Sequence, residues 1–162
     1  MTDERTIARD RMRFIKNSLS ANLCYLGILL DVFYFVSIYK SDVDTYYYNY
    51  IIGISIVYNL VFMLAVFLSS EGVKNYKQNY SFLLAIIGVV QIVRIFIIPT
   101  AAHATETVVN GESVVVMQDG QFMRVVVYLI ASAACLIVSA VVNFIRCNEL
   151  EAHLKTLEAQ GA

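Results

Sequence analysis

The chain has 162 residues, a net charge of −1, an apolar fraction of 59% and a charged fraction of 15%. Soluble domains average roughly 45–50% apolar and about 25% charged residues, so the composition argues against a soluble domain. The near-zero net charge gives no indication of a nucleic-acid partner. Three scattered cysteines without a CxxC pair argue against a disulfide framework or a zinc site.

The first apolar stretch, at about 19–39, follows a basic amino-terminal region, RTIARDRMRFIK. A secretory signal has an apolar core of typically 7–15 residues that ends at a small-residue cleavage site. Here the apolar run is longer and leads into SIYKSDVD, which is no such site. The pattern therefore predicts a retained membrane anchor.

Three more apolar stretches follow, at about 50–68, 80–99 and 125–145. Each has roughly the 20 residues that an α-helix needs to cross the hydrocarbon core of a bilayer. Backbone polar groups in lipid must be satisfied within their own segment, which overrides the strand preference of the many Val, Ile and Tyr residues. We expect an all-α membrane protein, a bundle of four transmembrane helices in one domain over 1–162.

The basic residues predict the orientation of this bundle. The positive-inside rule counts only Lys and Arg, and nine of them lie in the amino end, the second loop and the tail, against two on the opposite side. We therefore expect both termini in the cytoplasm. Short loops and small size favour a bacterial plasma membrane. The nine are Arg5, Arg9, Arg11, Arg13, Lys16, Lys74, Lys77, Arg146 and Lys155, and the two are Lys40 and Arg124.

The predicted outer loops carry two further signals. In the loop at 100–123, β-prone runs flank Asn110-Gly111, which predicts a small extracytoplasmic β-hairpin. A second turn is expected at Asp119-Gly120, before the fourth helix. The first outer loop, KSDVDTYYYNY, places four tyrosines where an interfacial aromatic belt is expected.

The tail at 146–162 reads RCNELEAHLKTLEAQGA, with Leu150, Leu154 and Leu157 on one helical face. This spacing predicts an amphipathic extension of the fourth helix into the cytoplasm. The apolar face then packs on the cytoplasmic loop, lies on the membrane or meets a partner.

Two charged residues, Asp31 and Arg94, are the most informative positions, because ionisable groups at membrane depth are costly and rare. They lie 12 and 14 residues from the inner ends of the first and third stretches, within roughly 3 Å of the same depth. Asn59 and Gln91 lie nearby, so we expect one buried polar cluster of these four residues. Two interpretations stay open: a packing pair that fixes helix order, or a ligand or ion site.

The fourth stretch offers Ala131, Cys135 and Ser139 at four-residue intervals, a stripe of small residues that predicts close helix packing. His103 and His153 lie on opposite sides of the predicted membrane, and neither has a partner at metal-ligand spacing. No nucleophile elbow or phosphate-binding loop is present. The sequence therefore predicts no catalytic residue, no metal and no cofactor.

Three functional hypotheses follow. The first is an accessory or assembly subunit of a larger membrane complex of the transport type, in contact with lipid and with other subunits or its own copies. The second is a small homo-oligomeric transporter or channel that uses Asp31 and Arg94. The third, and least favoured, is an intramembrane enzyme acting on a lipid or a quinone.

Overall fold

The computed structural model describes residues 15–38, 46–109 and 112–161. The basic residues of the amino-terminal region up to Arg13, Lys40 and the predicted turn at Asn110-Gly111 lie outside the described residues. So do the side chains of the first three loop tyrosines and of Leu157.

Four long helices make up most of the structure. They are α1 (Ser18–Ile38), α2 (Tyr46–Lys74), α3 (Asn79–Ile97) and α5 (Asp119–Gly161). All four are long and apolar enough to cross a membrane, which confirms the predicted class of a multi-pass helical membrane protein.

The last helix is longer than its predicted span of 125–145. It begins at Asp119, where the sequence predicted a turn, and its 43 residues continue through the predicted tail extension. At about 1.5 Å per residue it measures about 65 Å, roughly twice the thickness of a hydrocarbon core. A large part of α5 therefore extends beyond the bundle.

A short helix and two strands connect α3 to α5. Helix α4 (Pro99–Ala104) has proline in its first turn, where a missing backbone N–H costs no hydrogen bond. Strands β1 (Glu106–Val109) and β2 (Glu112–Val115) pair antiparallel, with Glu106 opposite Val115. We call this end of the bundle the strand end.

At the opposite end, which we call the turn end, residues 75–78 connect α2 to α3. Tyr76 has a left-handed backbone (φ 57°), and the backbone N–H groups of Tyr76 and Lys77 donate to Val73 and Gly72. These bonds satisfy carbonyl groups that the end of a helix leaves free. Gly72 packs directly against the ring of Tyr80, so the connection is tight.

Helix α5 packs mainly against α1 and α3, and α2 packs mainly against α1. Two glycines allow the close approach to α5. A Cβ atom on Gly27 would lie 3.0 Å from the Leu136 side chain, and one on Gly88 would lie 2.7 Å from Ile137. Small residues at such positions let helices pack closely where lipid gives no hydrophobic drive for association.

The outward faces of the four long helices carry large apolar side chains. Phe96, Val57 and Ile86 are more than half exposed. A soluble bundle places polar residues on its outward faces, so these exposed apolar faces suit contact with lipid.

Candidate functional site: a buried charged cluster

Polar side chains from α1, α2 and α3 meet inside the bundle, nearer to its strand end. Asp31 lies on α1, Asn59 and Ser55 on α2, and Gln91 and Arg94 on α3. The structure thus brings together the four residues that the sequence predicts as a polar cluster. We refer to these five residues as the charged cluster.

The guanidinium group of Arg94 is the centre of the charged cluster. Its Nη1 donates to Asp31 Oδ1 at 3.1 Å, and its Nη2 donates to Asn59 Oδ1 at 2.6 Å and to Ser55 Oγ at 3.2 Å. The Asp31 side chain is fully buried and that of Arg94 is 3% exposed. Because two opposite charges at contact distance cancel, the cluster carries no net charge into the apolar interior.

Gln91 links the ion pair to α2. Its Nε2 donates to Asp31 Oδ1 at 3.0 Å, while its Oε1 accepts from Tyr58 Oη at 3.3 Å and from Arg94 Nη1 at 3.4 Å. Gln91 and Arg94 lie one turn apart on α3, which places both side chains on one face.

Two tyrosine rings flank the guanidinium group. The Arg94 Cζ atom lies 4.2 Å from the ring centroid of Tyr34 and 4.3 Å from that of Tyr58, within the range of a cation–π interaction. The sequence reasoning missed both rings. Each lies three residues from a cluster member on its own helix, Tyr34 from Asp31 and Tyr58 from Ser55, and this spacing is the signal that marks them.

Some buried atoms of the charged cluster have no hydrogen-bond partner among the residues that the structure describes. They are Asp31 Oδ2, Asn59 Nδ2 and Arg94 Nε. One is an acceptor and two are donors. An unsatisfied polar group is costly in an apolar interior, so these atoms are the part of the charged cluster that the described residues leave unsatisfied.

A second polar network lies at the turn end, and the sequence reasoning missed it. Asn17 Nδ2 donates to Asn143 Oδ1 and to Ser20 Oγ, both at 3.0 Å, and Asn143 Nδ2 donates to Ser81 Oγ at 2.8 Å and to the Lys77 carbonyl at 3.3 Å. We call Asn17, Ser20, Ser81 and Asn143 the amide hub. Asn143, a polar residue inside the apolar run at 125–145, was the signal in the sequence that marks the amide hub.

The amide hub ties three helices together. Asn17 Oδ1 also accepts from Arg146 Nη1 at 3.2 Å and from the Ser20 backbone N–H at 3.4 Å, which caps the start of α1. No buried side-chain nitrogen or oxygen of the hub lacks a partner among the described residues. The hub is therefore a fully hydrogen-bonded, structural network.

The predicted stripe of small residues on α5 lies partly at the helix interface. Ser139 is buried and donates to the Ser20 carbonyl at 2.8 Å, whereas Ala131 and Cys135 are half-buried. The buried neighbour Ser132 donates to the Gly27 carbonyl at 2.9 Å. Steps of four residues turn a helix by about 40° more than a full circle, so a stripe at constant spacing rotates away from the interface.

Outside these two networks the described residues offer little reactive chemistry. They hold no group of three or more His, Cys, Asp or Glu residues that is able to bind a metal ion. His103 Nε2 lies 2.9 Å from Asp119 Oδ1 at the strand end. Arg124 is exposed and donates to the Gly120 carbonyl at 3.1 Å.

The chain matches no protein-family model, and it matches neither a curated protein nor a solved structure.

Proposed function

We propose that this chain is a non-catalytic integral membrane protein that serves as an accessory or assembly subunit of a larger membrane complex of the transport type. We place it in a bacterial plasma membrane. Both termini face the cytoplasm and the β1–β2 pair lies outside, because nine Lys and Arg residues fall on the proposed inner side and two on the outer side.

One observation carries this proposal: the two charges in the interior of the apolar segments, Asp31 and Arg94, are turned inward and paired, and the outward faces of the helices are apolar. Asp31 and Arg94 are 0% and 3% exposed, whereas a conduction pathway needs polar groups that face water. The ion pair instead joins α1 to α3, and the bond from Arg94 to Asn59 adds α2. The surface that remains for function is the apolar outward surface of the four long helices, which suits contact with other membrane helices.

Site-specific photo-crosslinking tests the proposal. A photo-reactive amino acid at Val57, on the exposed face of α2, should crosslink to a membrane protein of different mass in cells that express the chain at its native level. The matched control places the same amino acid at Leu129, which is fully buried and should give no crosslink to another chain. Crosslinks to further copies of this chain alone would contradict the subunit proposal.

A second function, a small homo-oligomeric transporter or channel, is favoured by the three unpartnered atoms of the charged cluster. Intramembrane charge is a common mark of a substrate or ion pathway. In proteoliposomes, Asp31→Asn should then abolish flux while the protein stays folded. Flux that is absent from the wild-type protein, or unchanged in the variant, would rule this function out.

A further inference from the structure

The unpartnered atoms of the charged cluster define the hydrogen bonds that a ligand there must make. Asn59 Nδ2 and Arg94 Nε need an acceptor, and Asp31 Oδ2 needs a donor. These side chains are nearly or fully buried, at 1%, 3% and 0% exposed. A hydroxyl group both accepts and donates hydrogen bonds, so hydroxyl groups satisfy both kinds of atom without bringing a charge.

We propose that the charged cluster binds small neutral hydroxyl groups, which donate to Asp31 Oδ2 and accept from Asn59 Nδ2 and Arg94 Nε. The ligand is neutral because Asp31 and Arg94 already cancel. An added ion would leave a net charge in the apolar interior, where an unpaired charge is strongly unfavourable. The ligand group is small because the ring centroids of Tyr34 and Tyr58 lie only 4.2 and 4.3 Å from the guanidinium carbon.

A hydroxyl group reaches this site from one of two sources, water or an amphiphile with a hydroxyl head. Buried water commonly bridges otherwise unsatisfied polar groups of this kind. The amphiphile has a place for its chain in an apolar groove of about 580 Å³ on α2, lined by Tyr50, Gly53, Ile54, Val57 and Tyr58. Tyr58 belongs to both places, since it lines the groove and contacts Arg94 and Gln91.

Proton-detected solid-state NMR in lipid nanodiscs tests the proposal on the whole chain. The protein is deuterated, labelled with ¹⁵N and back-exchanged, so that the side-chain N–H groups of Asn59 and Arg94 are observed together with hydroxyl protons. The internal control is Asn143 Nδ2, which is equally buried but donates to two protein acceptors. Ser55→Ala removes the serine hydroxyl that Arg94 contacts. Tyr34→Phe and Tyr58→Phe identify the signals of the two tyrosine hydroxyls beside the guanidinium group, so that any further hydroxyl signal comes from a bound molecule.

Bound water is established if Asn59 Nδ2 and Arg94 Nε contact protons at the water frequency in both the wild type and Ser55→Ala. Asn143 Nδ2 should make no such contact. Contacts at a different hydroxyl frequency, with a bound amphiphile in native mass spectrometry, establish the amphiphile.

Gly53→Leu separates the two sources. A Cβ atom on Gly53 meets nothing within 4 Å, so the fold tolerates a side chain there, and the added leucine projects into the groove and obstructs it. The amphiphile is then lost, whereas water is retained. If neither Asn59 nor Arg94 contacts a hydroxyl proton in the Ser55→Ala variant, the proposal is overturned. The subunit proposal rests on the burial of the ion pair and not on a ligand, so either proposal stands if the other fails.

Discussion

The amide hub and the charged cluster both place polar side chains inside an apolar bundle, but they differ in how completely those side chains are hydrogen-bonded. In the amide hub, uncharged amides and hydroxyls satisfy one another, helped by a backbone carbonyl and Arg146. In the charged cluster, an ion pair is surrounded by polar partners, yet three buried atoms have none among the described residues.

This difference separates two roles for polar groups in a membrane. A fully satisfied neutral network fixes the register of helices, and its geometry leaves nothing for a ligand to bind. A buried ion pair contributes little net stability, although the loss of one partner leaves a charge that is very unfavourable. The charged cluster therefore joins the helices at the strand end of the bundle and leaves three polar atoms without a partner among the described residues.

Removal of one charge should have the largest effect. Arg94→Leu leaves the Asp31 carboxylate buried without its counter-ion, and we expect a loss of about 3–5 kcal/mol in the free energy of unfolding. Arg124→Leu is the matched control, because Arg124 is exposed and the same substitution there should change stability little. Unfolding in mixed micelles measures both values. Equal losses in the two variants would show that the buried Arg94 contributes no more to stability than an exposed arginine.

Disruption of the amide hub should come next. Asn143→Leu leaves the hydrogen-bonding groups of Asn17 and Ser81 without their partner. One orphaned buried group costs about 1–3 kcal/mol. Ser81 loses this partner, whereas Asn17 Nδ2 keeps its bond to Ser20 Oγ, so we expect a total loss in the upper part of that range, about 2–3 kcal/mol. Asn148→Leu, at an exposed position of the same helix, is the control. A hub variant as stable as its control would show that the amides are dispensable for packing.

The aromatic contacts of Arg94 should contribute less. Tyr58→Leu removes a ring 4.3 Å from the guanidinium carbon, and we expect a loss of about 2 kcal/mol for a desolvated cation–π contact. Tyr58→Phe keeps the ring and removes only the hydrogen bond to Gln91, for an expected loss of about 0.6 kcal/mol. Thermal melting in detergent compares the two variants, and a phenylalanine variant as unstable as the leucine variant would argue against the ring contact.

A single hydrogen bond between helices should have the smallest effect. Ser132→Ala removes the bond from its hydroxyl to the Gly27 carbonyl. Bonds of this kind average about 0.6 kcal/mol in membrane proteins, so the expected change in the free energy of unfolding is of that size. A loss as large as that of Asn143→Leu would mean that the α1–α5 interface depends on this bond far more than its geometry indicates.

The class of fold could be predicted from the sequence because its main signal is strong. Runs of about 20 apolar residues leave few alternatives to membrane-spanning helices. The bounds of α1 lie within one residue of the predicted 19–39. The bounds of α5 do not follow from apolarity, since its last part is polar.

The charged cluster could be predicted because charge is rare at membrane depth and the two residues lie at matched positions. The amide hub was missed because its members are neutral, short and spread over three distant segments of the chain. Asn17 and Asn143 are 126 residues apart, and no local pattern links them. The helix interface on α5 was predicted in part, since a fixed spacing ignores the rotation of the helix that places Ser132 rather than Ala131 at the buried contact.

The most direct test of this account is reversal of the ion pair. Asp31→Arg and Arg94→Asp should each destabilise the protein strongly, and the double variant should recover a large part of the lost stability, because opposite charges are again at contact distance. A double-mutant cycle of unfolding free energies in lipid measures this coupling. A double variant as unstable as the sum of the two single variants would contradict the conclusion that the ion pair joins the helices of this bundle.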